Sequence, residues 1–467
     1  MKTIILLAMI ITLNTSMFSQ TYTMPHENDP HEGTWLQWPH QYEYGVAYRN
    51  SLDATWVAMT QALVANEKVH IIAYNSTEQT RIANKLTTAG VSLTNVTFLI
   101  AQTNDVWVRD NGPIFVRDAS GNLKIEDWGF NGWGTKYGYS KCNPIPTSIS
   151  TSISVPVINL NSVMVNEGGA VELDGNGVLM ACKSSIISQA PANSIRNLGM
   201  TQAQAETHFT QYLGVSKFIW LDGKVGDVND VTDFHIDGFA KFVDDSILVT
   251  MNSADLTYWG ATTTDIATLY NASNINNKTY TKVYLPLTQN NVITTSGTNL
   301  GYKGSYANYY VANGIILVPN YNDPNDAVAN GIIQSLYTGR TAIGIDVRNL
   351  YENGGMVHCV TQQQPVATIS TGLNQIKNKS DVTLEQNFPN PFSETTSFNL
   401  KLDKEIMCKM EIYNSVGQIV ARVLNKKLPI GEHTISVDAK EFANGIYTCV
   451  LVTDNINKTY KKIIVSK

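Results

Sequence analysis

Between Val366 and Asp381 the chain becomes polar and carries no aromatic residue, and the sequence on either side of that stretch differs in texture. A segment with so few side chains able to fill a core is read as a linker, 366–381. At 467 residues the chain is also longer than one core supports, since cores stop growing beyond about 250 to 300 residues. Two folded units are therefore expected, a large one over 21–365 and a small one over 382–467.

In the large unit, strand-like runs such as Val69 to Tyr74, Ile247 to Met251 and Gly314 to Pro319 alternate with helix-like stretches such as Asn50 to Asn66 and Thr201 to Leu213. That alternation predicts a mixed α/β domain. Gly-Gly pairs beginning at Gly168 and Gly354 each follow an acidic or amide residue, a faint sign of internal repetition. Beyond Leu384 the pattern shortens to alternating runs at Ser397 to Leu402, Lys409 to Tyr413, Gln418 to Leu424, His433 to Val437, Ile446 to Thr453 and Thr459 to Val465. Turn residues at Gly417, Gly431, Gly445 and Asn455 separate them, so this unit is predicted to be a small all-β sandwich.

Composition narrows the function. With 43% hydrophobic and 15% charged residues the chain is globular, and a net charge of -6 without any basic run argues against nucleic acid as a partner. The first twenty residues have Lys2, the apolar run Ile4 to Ile11, and Ser19-Gln20, the pattern of a secretory signal peptide over 1–20. That run is shorter than the roughly 20 residues needed to cross a bilayer, and no other segment looks transmembrane. Five cysteines, Cys142, Cys182, Cys359, Cys408 and Cys449, are too few and odd in number for a disulfide framework, so at least one thiol is expected free. Cys408 and Cys449 could pair or could serve as small buried hydrophobes.

Four motifs set reactive side chains beside turn-forming glycines. Trp107-Val108-Arg109-Asp110-Asn111-Gly112-Pro113 puts a carboxylate before a Gly-Pro turn; alone, it reads as a surface salt bridge of Arg109 or Asp110. Asn166-Glu167-Gly168-Gly169 holds a carboxylate before two residues that allow close approach of a ligand. His235-Ile236-Asp237-Gly238, if extended, points His235 and Asp237 to one side. Asn353-Gly354-Gly355-Met356-Val357-His358-Cys359 ends a strand-like run on a thiol; strand neighbours face opposite ways, so His235 rather than His358 is the expected partner of Cys359. Together a thiol, a distant histidine and several carboxylates suit attack on a cationic guanidinium carbon. His26, Glu27, Asp29, His31 and Glu32 suggest a metal set, but they lie in a Pro-containing loop without histidines paired at helical spacing, and no metal is expected.

At these residues the large unit resembles the agmatine deiminase and bacterial-type peptidylarginine deiminase family of guanidino-group-modifying enzymes. The likeness also takes in Met24 to Glu27, Thr34 to His40, Asp127 to Gly134, Tyr306 to Tyr310 and Val357 to Pro365. It implies a five-bladed α/β propeller around a closed-off site. It further implies Cys359 as nucleophile, His235 as general acid/base, Glu167 as the carboxylate orienting His235, Asp110 and Asp237 as a clamp on the guanidinium, and Trp133 and Asn308 as pocket-lining residues. Where the family often has Gly-Gly-Gly-Asn, this chain has Asn353, Gly354, Gly355 and Met356, a departure that bears on pocket shape. The small unit resembles the sorting domain of the type IX secretion system at Asn387 to Phe392, Ile412 to Gly417, Gly445 to Tyr447, Lys461 and Lys462, which implies that machinery as a partner and a secreted or cell-surface location.

The expected reaction is hydrolysis of a guanidino group through a covalent thiouronium on Cys359, with no cofactor. Agmatine is favoured as substrate over arginine-containing peptides, because the Trp35 to Trp38 and Trp128 to Trp133 segments can wall a narrow pocket and the linker is too short for an extra Ig-like domain. An amidinotransferase would share the intermediate but replace water by an amine. A non-catalytic binding protein would keep the fold without turnover.

Overall fold

A computed structural model describes residues 22–187, 195–226, 230–367, 382–402, 404–414, 418–453 and 457–467. The predicted signal peptide and most of the predicted linker lie outside the described residues. The chain separates into two compact units, Met1–Ser370 and Thr371–Lys467, each with its own core.

The large unit is mixed α/β. Among its described residues are five small sheets, and one connection pattern runs through them: an antiparallel pair followed by a parallel crossover. It appears at Ile114–Asp118, Leu123–Gly129 and Val157–Val165; at Val171–Leu173, Val178–Cys182 and Lys217–Leu221; at Lys241–Phe242, Ile247–Thr250 and Thr281–Tyr284; and at Tyr310–Ala312, Ile315–Asn320 and Thr341–Asp346. The fifth sheet takes its first strand, Gln362–Pro365, from the far end of the unit and pairs it antiparallel with His31–Gln37, which runs parallel to Lys68–Ala73. The Trp35 indole donates to Gln364 Oε1 at 2.9 Å across that join. The faint repetition seen in the Gly-Gly pairs is thus a repetition of whole strand–strand–crossover units.

The middle strands Val178–Cys182, Ile247–Thr250 and Ile315–Asn320 are buried over nearly their whole length, the first without exception, which is why they read as apolar runs rather than alternating ones. Helices cover them. Gln202–Leu213 starts on a Thr201/Gln204 capping box, stops at Gly214 in the left-handed conformation, and buries Ala205, Phe209 and Leu213 along one stripe. Gln41–Leu63 bends at Gly45, with φ 68°, and its regular part buries Leu52, Trp56, Met59 and Leu63 at helical spacing.

The small unit is all-β. One sheet holds Val382–Leu384, Thr395–Leu402 and Gly431–Asp438; the other holds Ile419–Leu428, Ile406–Tyr413, Gly445–Thr453 and Asn457–Val465. Six of these strands match the runs expected from alternation, and Val382–Leu384 is an addition. Thr396, Phe398, Leu400 and Leu402 alternate inward as the period of two requires. Cys408 and Cys449 are both buried, and the register pairs Cys408 with Thr453 and Cys449 with Ile412, so the two thiols are not opposite one another. No helix among the described residues is long and apolar enough to cross a membrane.

With a separate core in each unit, a protein ending at Ser380 is expected to unfold in one cooperative transition at the Tm of the large unit within the full chain, measured by calorimetry. A lost or broadened transition would mean that the small unit stabilises the large one.

Candidate active site

Each motif singled out in the sequence stands a few residues before the first strand of one of the five sheets: Asp110 before Ile114, Glu167 before Val171, His235 and Asp237 before Lys241, Asn308 before Tyr310, Cys359 before Gln362. The repeated unit therefore presents the same kind of turn five times, and these turns meet.

They meet at Gly169. A Cβ built there would stand 2.8 Å from His235 Nδ1, 2.9 Å from Asp110 Oδ1 and 3.0 Å from Asp237 Oδ2. Only a residue without a side chain lets the three groups close in, and its amide nitrogen donates to Asp110 Oδ1 at 3.1 Å. Asp110 and Arg109 are buried rather than paired at the surface. The second Asp110 oxygen accepts from the Trp133 indole at 2.9 Å, with the Trp133 backbone held at φ 56° to aim it.

His235 Nε2 lies 2.7 Å from Glu167 Oε2, and its Nδ1 lies 3.7 Å from Asp110 Oδ1. His235 and Asp237 are not extended as the sequence suggested: Ile236–Gly238 is a 3-10 turn, and the two residues before it, Asp233 and Phe234, have φ of 57° and 76°. Left-handed non-glycine residues cost on the order of 1 kcal/mol each, so the surroundings must hold them. Asp233 is gripped by Lys136 at 2.6 Å, by the Gly226 amide at 3.0 Å and by Arg196, while the Phe234 ring packs on Phe239 at 4.7 Å.

Cys359 is free and half-buried, in the 3-10 turn His358–Val360 rather than at the end of a strand. The strand-alternation rule consequently misplaced its neighbours. His358 faces the site: its Nδ1 is 2.8 Å from Asp237 Oδ2. The polar side-chain contacts of the Cys359 sulfur are Asn308, with Nδ2 at 3.4 Å, and Asp237, with Oδ2 at 4.0 Å, whereas both ring nitrogens of His235 face carboxylates. Asn308 also accepts from the His358 amide at 3.0 Å, which ties the thiol turn to the neighbouring sheet.

Sequence reasoning missed His358, Lys241 and Arg196. Glu27, which resembled part of a metal set, is enclosed by bases instead: Lys241 at 3.2 Å, His358 at 2.9 Å and Arg109 at 3.7 Å. Arg196 braces Glu167 at 3.0 Å. Lys241 and Arg196 sit in no motif that marks them, because their partners come from distant sheets. Of the expected tryptophan walls, Trp133 reaches the cluster, but Trp35, Trp38 and Trp128 are core residues; Trp107, half-buried against Phe130 and Trp133, is the aromatic neighbour instead.

The charges settle as follows. Burial alone would favour neutral His235, but Asp110, Glu167 and Asp237 outweigh it and raise its pKa to about 9. Burial pushes Asp110 up to about 6, helped by Glu167 and Asp237 and opposed by His235. Burial also works against the ionised forms of Glu167 and Asp237, yet Arg196 and His235 keep the first below the usual range, and His358, His235 and Arg109 keep the second there. Burial, Asp237 and Asp110 hold the Cys359 thiol well above its ordinary value. A cation seated among those acids would draw the thiol back down.

A half-buried thiol thus stands beside a cluster of buried carboxylates, on turns of repeated α/β units. The chain belongs to the Porphyromonas-type peptidyl-arginine deiminase family, whose model matches residues 23–365. Residues 386–466 match the secretion system C-terminal sorting domain. Among curated relatives, a putative agmatine deiminase of Latilactobacillus sakei is 30% identical over 76% of this chain and 99% of its own, and the agmatine deiminase of Pseudomonas aeruginosa is 28% identical over 74% and 95%. Among solved structures, a putative arginine deiminase from Porphyromonas gingivalis aligns with a TM-score of 0.63 at 28% identity, covering 74% of this chain and 98% of that one. The agmatine deiminase of Enterococcus faecalis shares the fold, with a TM-score of 0.63 at 22% identity over 74% and 96%.

Gly169→Ala is expected to cost about 1 to 3 kcal/mol of stability through overpacking. By spreading Asp110, His235 and Asp237 it should also lower turnover about 100-fold, since misplacement by 1 Å is enough for that. Denaturant titration and ammonia release measure the two effects.

Proposed function

We propose that this chain hydrolyses a guanidino group, most readily that of agmatine, releasing ammonia and leaving a ureido product, N-carbamoylputrescine. The observation that carries the reading is the Cys359 sulfur 4.0 Å from an Asp237 oxygen that converges with Asp110 and His235 on Gly169. The five sheets form, on this reading, the blades of an α/β propeller with Cys359 near its axis. Asp110 and Asp237 clamp the guanidinium, whose charge lowers the pKa of Cys359 so that the thiol proton leaves to solvent. The thiolate then attacks the guanidinium carbon, the carbon–nitrogen bond to the departing nitrogen breaks, and His235 protonates that nitrogen as ammonia leaves. The thiouronium on sulfur is then attacked by water. His235, now neutral, takes one water proton, the carbon–sulfur bond breaks as the second proton leaves to solvent, and the thiolate returns. Glu167, braced by Arg196, keeps His235 oriented and favours its protonated form.

No metal or cofactor enters these steps. Agmatine is supported by the relatives' names and by Trp107 and Trp133, which offer faces along which a short aliphatic chain can lie. A peptidyl-arginine substrate is the second reading, favoured by the family's description and by export. The sorting domain marks the protein for type IX secretion to the cell surface or beyond. A cleaved signal peptide over 1–20 would provide the first step of that route.

Steady-state assays decide the substrate. Agmatine should show a higher kcat/KM than a peptide ending in arginine, and Cys359→Ser should release no measurable ammonia from either. The reverse order of substrates would overturn agmatine, and an active serine variant would overturn the nucleophile. The profile of kcat/KM against pH should be bell-shaped. It falls below about 6 as Asp110 takes a proton and the clamp loses charge, and above about 9 as His235 loses the proton it must donate. A flat basic limb would remove His235 from that role.

A further inference from the structure

The reaction above gives His358 no task, although it is one of the most tightly held groups near the sulfur, with 2% of its surface exposed. Its Nδ1 stands 2.8 Å from Asp237 Oδ2, the oxygen that faces Cys359. Its Nε2 stands 2.9 Å from Glu27 Oε2 and 3.3 Å from Lys241 Nζ. An ionised carboxylate can only accept, so the hydrogen of this contact lies on Nδ1 and the imidazole donates to Asp237. Glu27 is itself immobile. It accepts from the Val311 amide at 2.8 Å and pairs with Lys241 at 3.2 Å and Arg109 at 3.7 Å. A flipped imidazole would turn carbon atoms toward both carboxylates and cost each of them a hydrogen bond in a buried site, which a low-dielectric interior penalises. Among the described residues, the polar side-chain contacts of the Asp237 carboxylate are His358 and the thiol. Without His358 nothing in that shell would keep Oδ2 turned toward the sulfur.

Resting on the deiminase reading, we infer that His358 is a positioning residue: anchored by Glu27 through Nε2, it uses its Nδ1 hydrogen to hold Asp237 against Cys359 so that a cation is captured beside the sulfur. The thiol turn thereby carries both the nucleophile and the group that aims its acid partner. The N-terminal Met24 to His31 segment, through Glu27, is the outer anchor of that arrangement.

Two near-isosteric replacements separate the ends of the ring. In His358→Asn the side-chain amide nitrogen falls where Nδ1 lies and can still donate to Asp237; in His358→Gln it falls where Nε2 lies and meets Glu27. Alkylation of Cys359 by 2-chloroacetamidine, a small cation, is compared with alkylation by neutral iodoacetamide, and the ratio of the two rates reports whether the carboxylate is in place. His358→Asn should lose less than about three-fold of the wild-type ratio and His358→Gln at least about ten-fold, with the iodoacetamide rate little changed in both. Equal losses, no loss in either, or a ratio kept by Gln rather than Asn would overturn the assignment; the last result would make His358 an anchor for the N-terminal segment only. Should neither variant fold, Glu27→Gln serves: it is expected to lower the ratio by about three- to ten-fold, and an unchanged ratio overturns the relay. Ammonia release from agmatine and from an arginine peptide is followed on the same samples. A wild type that alkylates selectively yet releases no ammonia sinks the deiminase reading and leaves the positioning of Asp237 to be judged on the ratios. An active wild type with equal losses in the two His358 variants overturns the positioning role alone.

Discussion

Three carboxylates, Asp110, Glu167 and Asp237, are buried around one imidazole, and their mutual repulsion is the constraint that the surrounding structure answers. At about 4 Å two like charges repel by about 4 kcal/mol even at an effective dielectric of 20, so such a cluster needs positive charge in its midst. His235 supplies it, held protonated to about pH 9 by the same acids it neutralises. Arg196 behind Glu167 and His358 behind Asp237 complete the compensation, and each of those bases is braced in turn by a further acid, Asp233 or Glu27. Charge alternates outward from the sulfur in shells.

That alternation explains why the site is spread over every sheet of the large unit. A single loop could not carry five acids and bases without collapsing on itself by local hydrogen bonds. Turns that precede the first strand of separate sheets hold each group on its own rigid support, and the join between Gln362–Pro365 and His31–Gln37 ties the two ends of the large unit into one of those sheets. Gly169 is the point at which the supports come closest, so the smallest side chain there sets how near the acids can be drawn.

The thiol is kept unreactive by the same acids. Burial and two nearby carboxylates raise Cys359 well above its ordinary pKa, and only a cation between them reverses the effect. The sorting unit has its own core.

Much of this was legible in the sequence because the signals were local. Period-two alternation marked six strands of the small unit, the Thr201/Gln204 capping box and Gly214 bounded a helix, and glycines beside Asp110, Glu167, Asp237 and Cys359 marked turns where backbone and ligand come close. Resemblance of those motifs to a known family supplied their roles before any distance was known. The sequence could not show which way the turns pointed. Ile236 to Gly238 and His358 to Val360 fold as 3-10 turns, where the alternation rule for strands fails, so His358 was assigned to the wrong face. Glu27, Lys241 and Arg196 had no motif because their meaning lies wholly in partners from other sheets. The tryptophans looked alike in sequence and Trp35, Trp38, Trp128 and Trp133 are all buried, but Trp133 donates to Asp110 and Trp107 packs half-buried against it. Local periodicity and turn chemistry are written in neighbouring residues, whereas the pairing of buried charges depends on distances between segments that only the folded chain brings together.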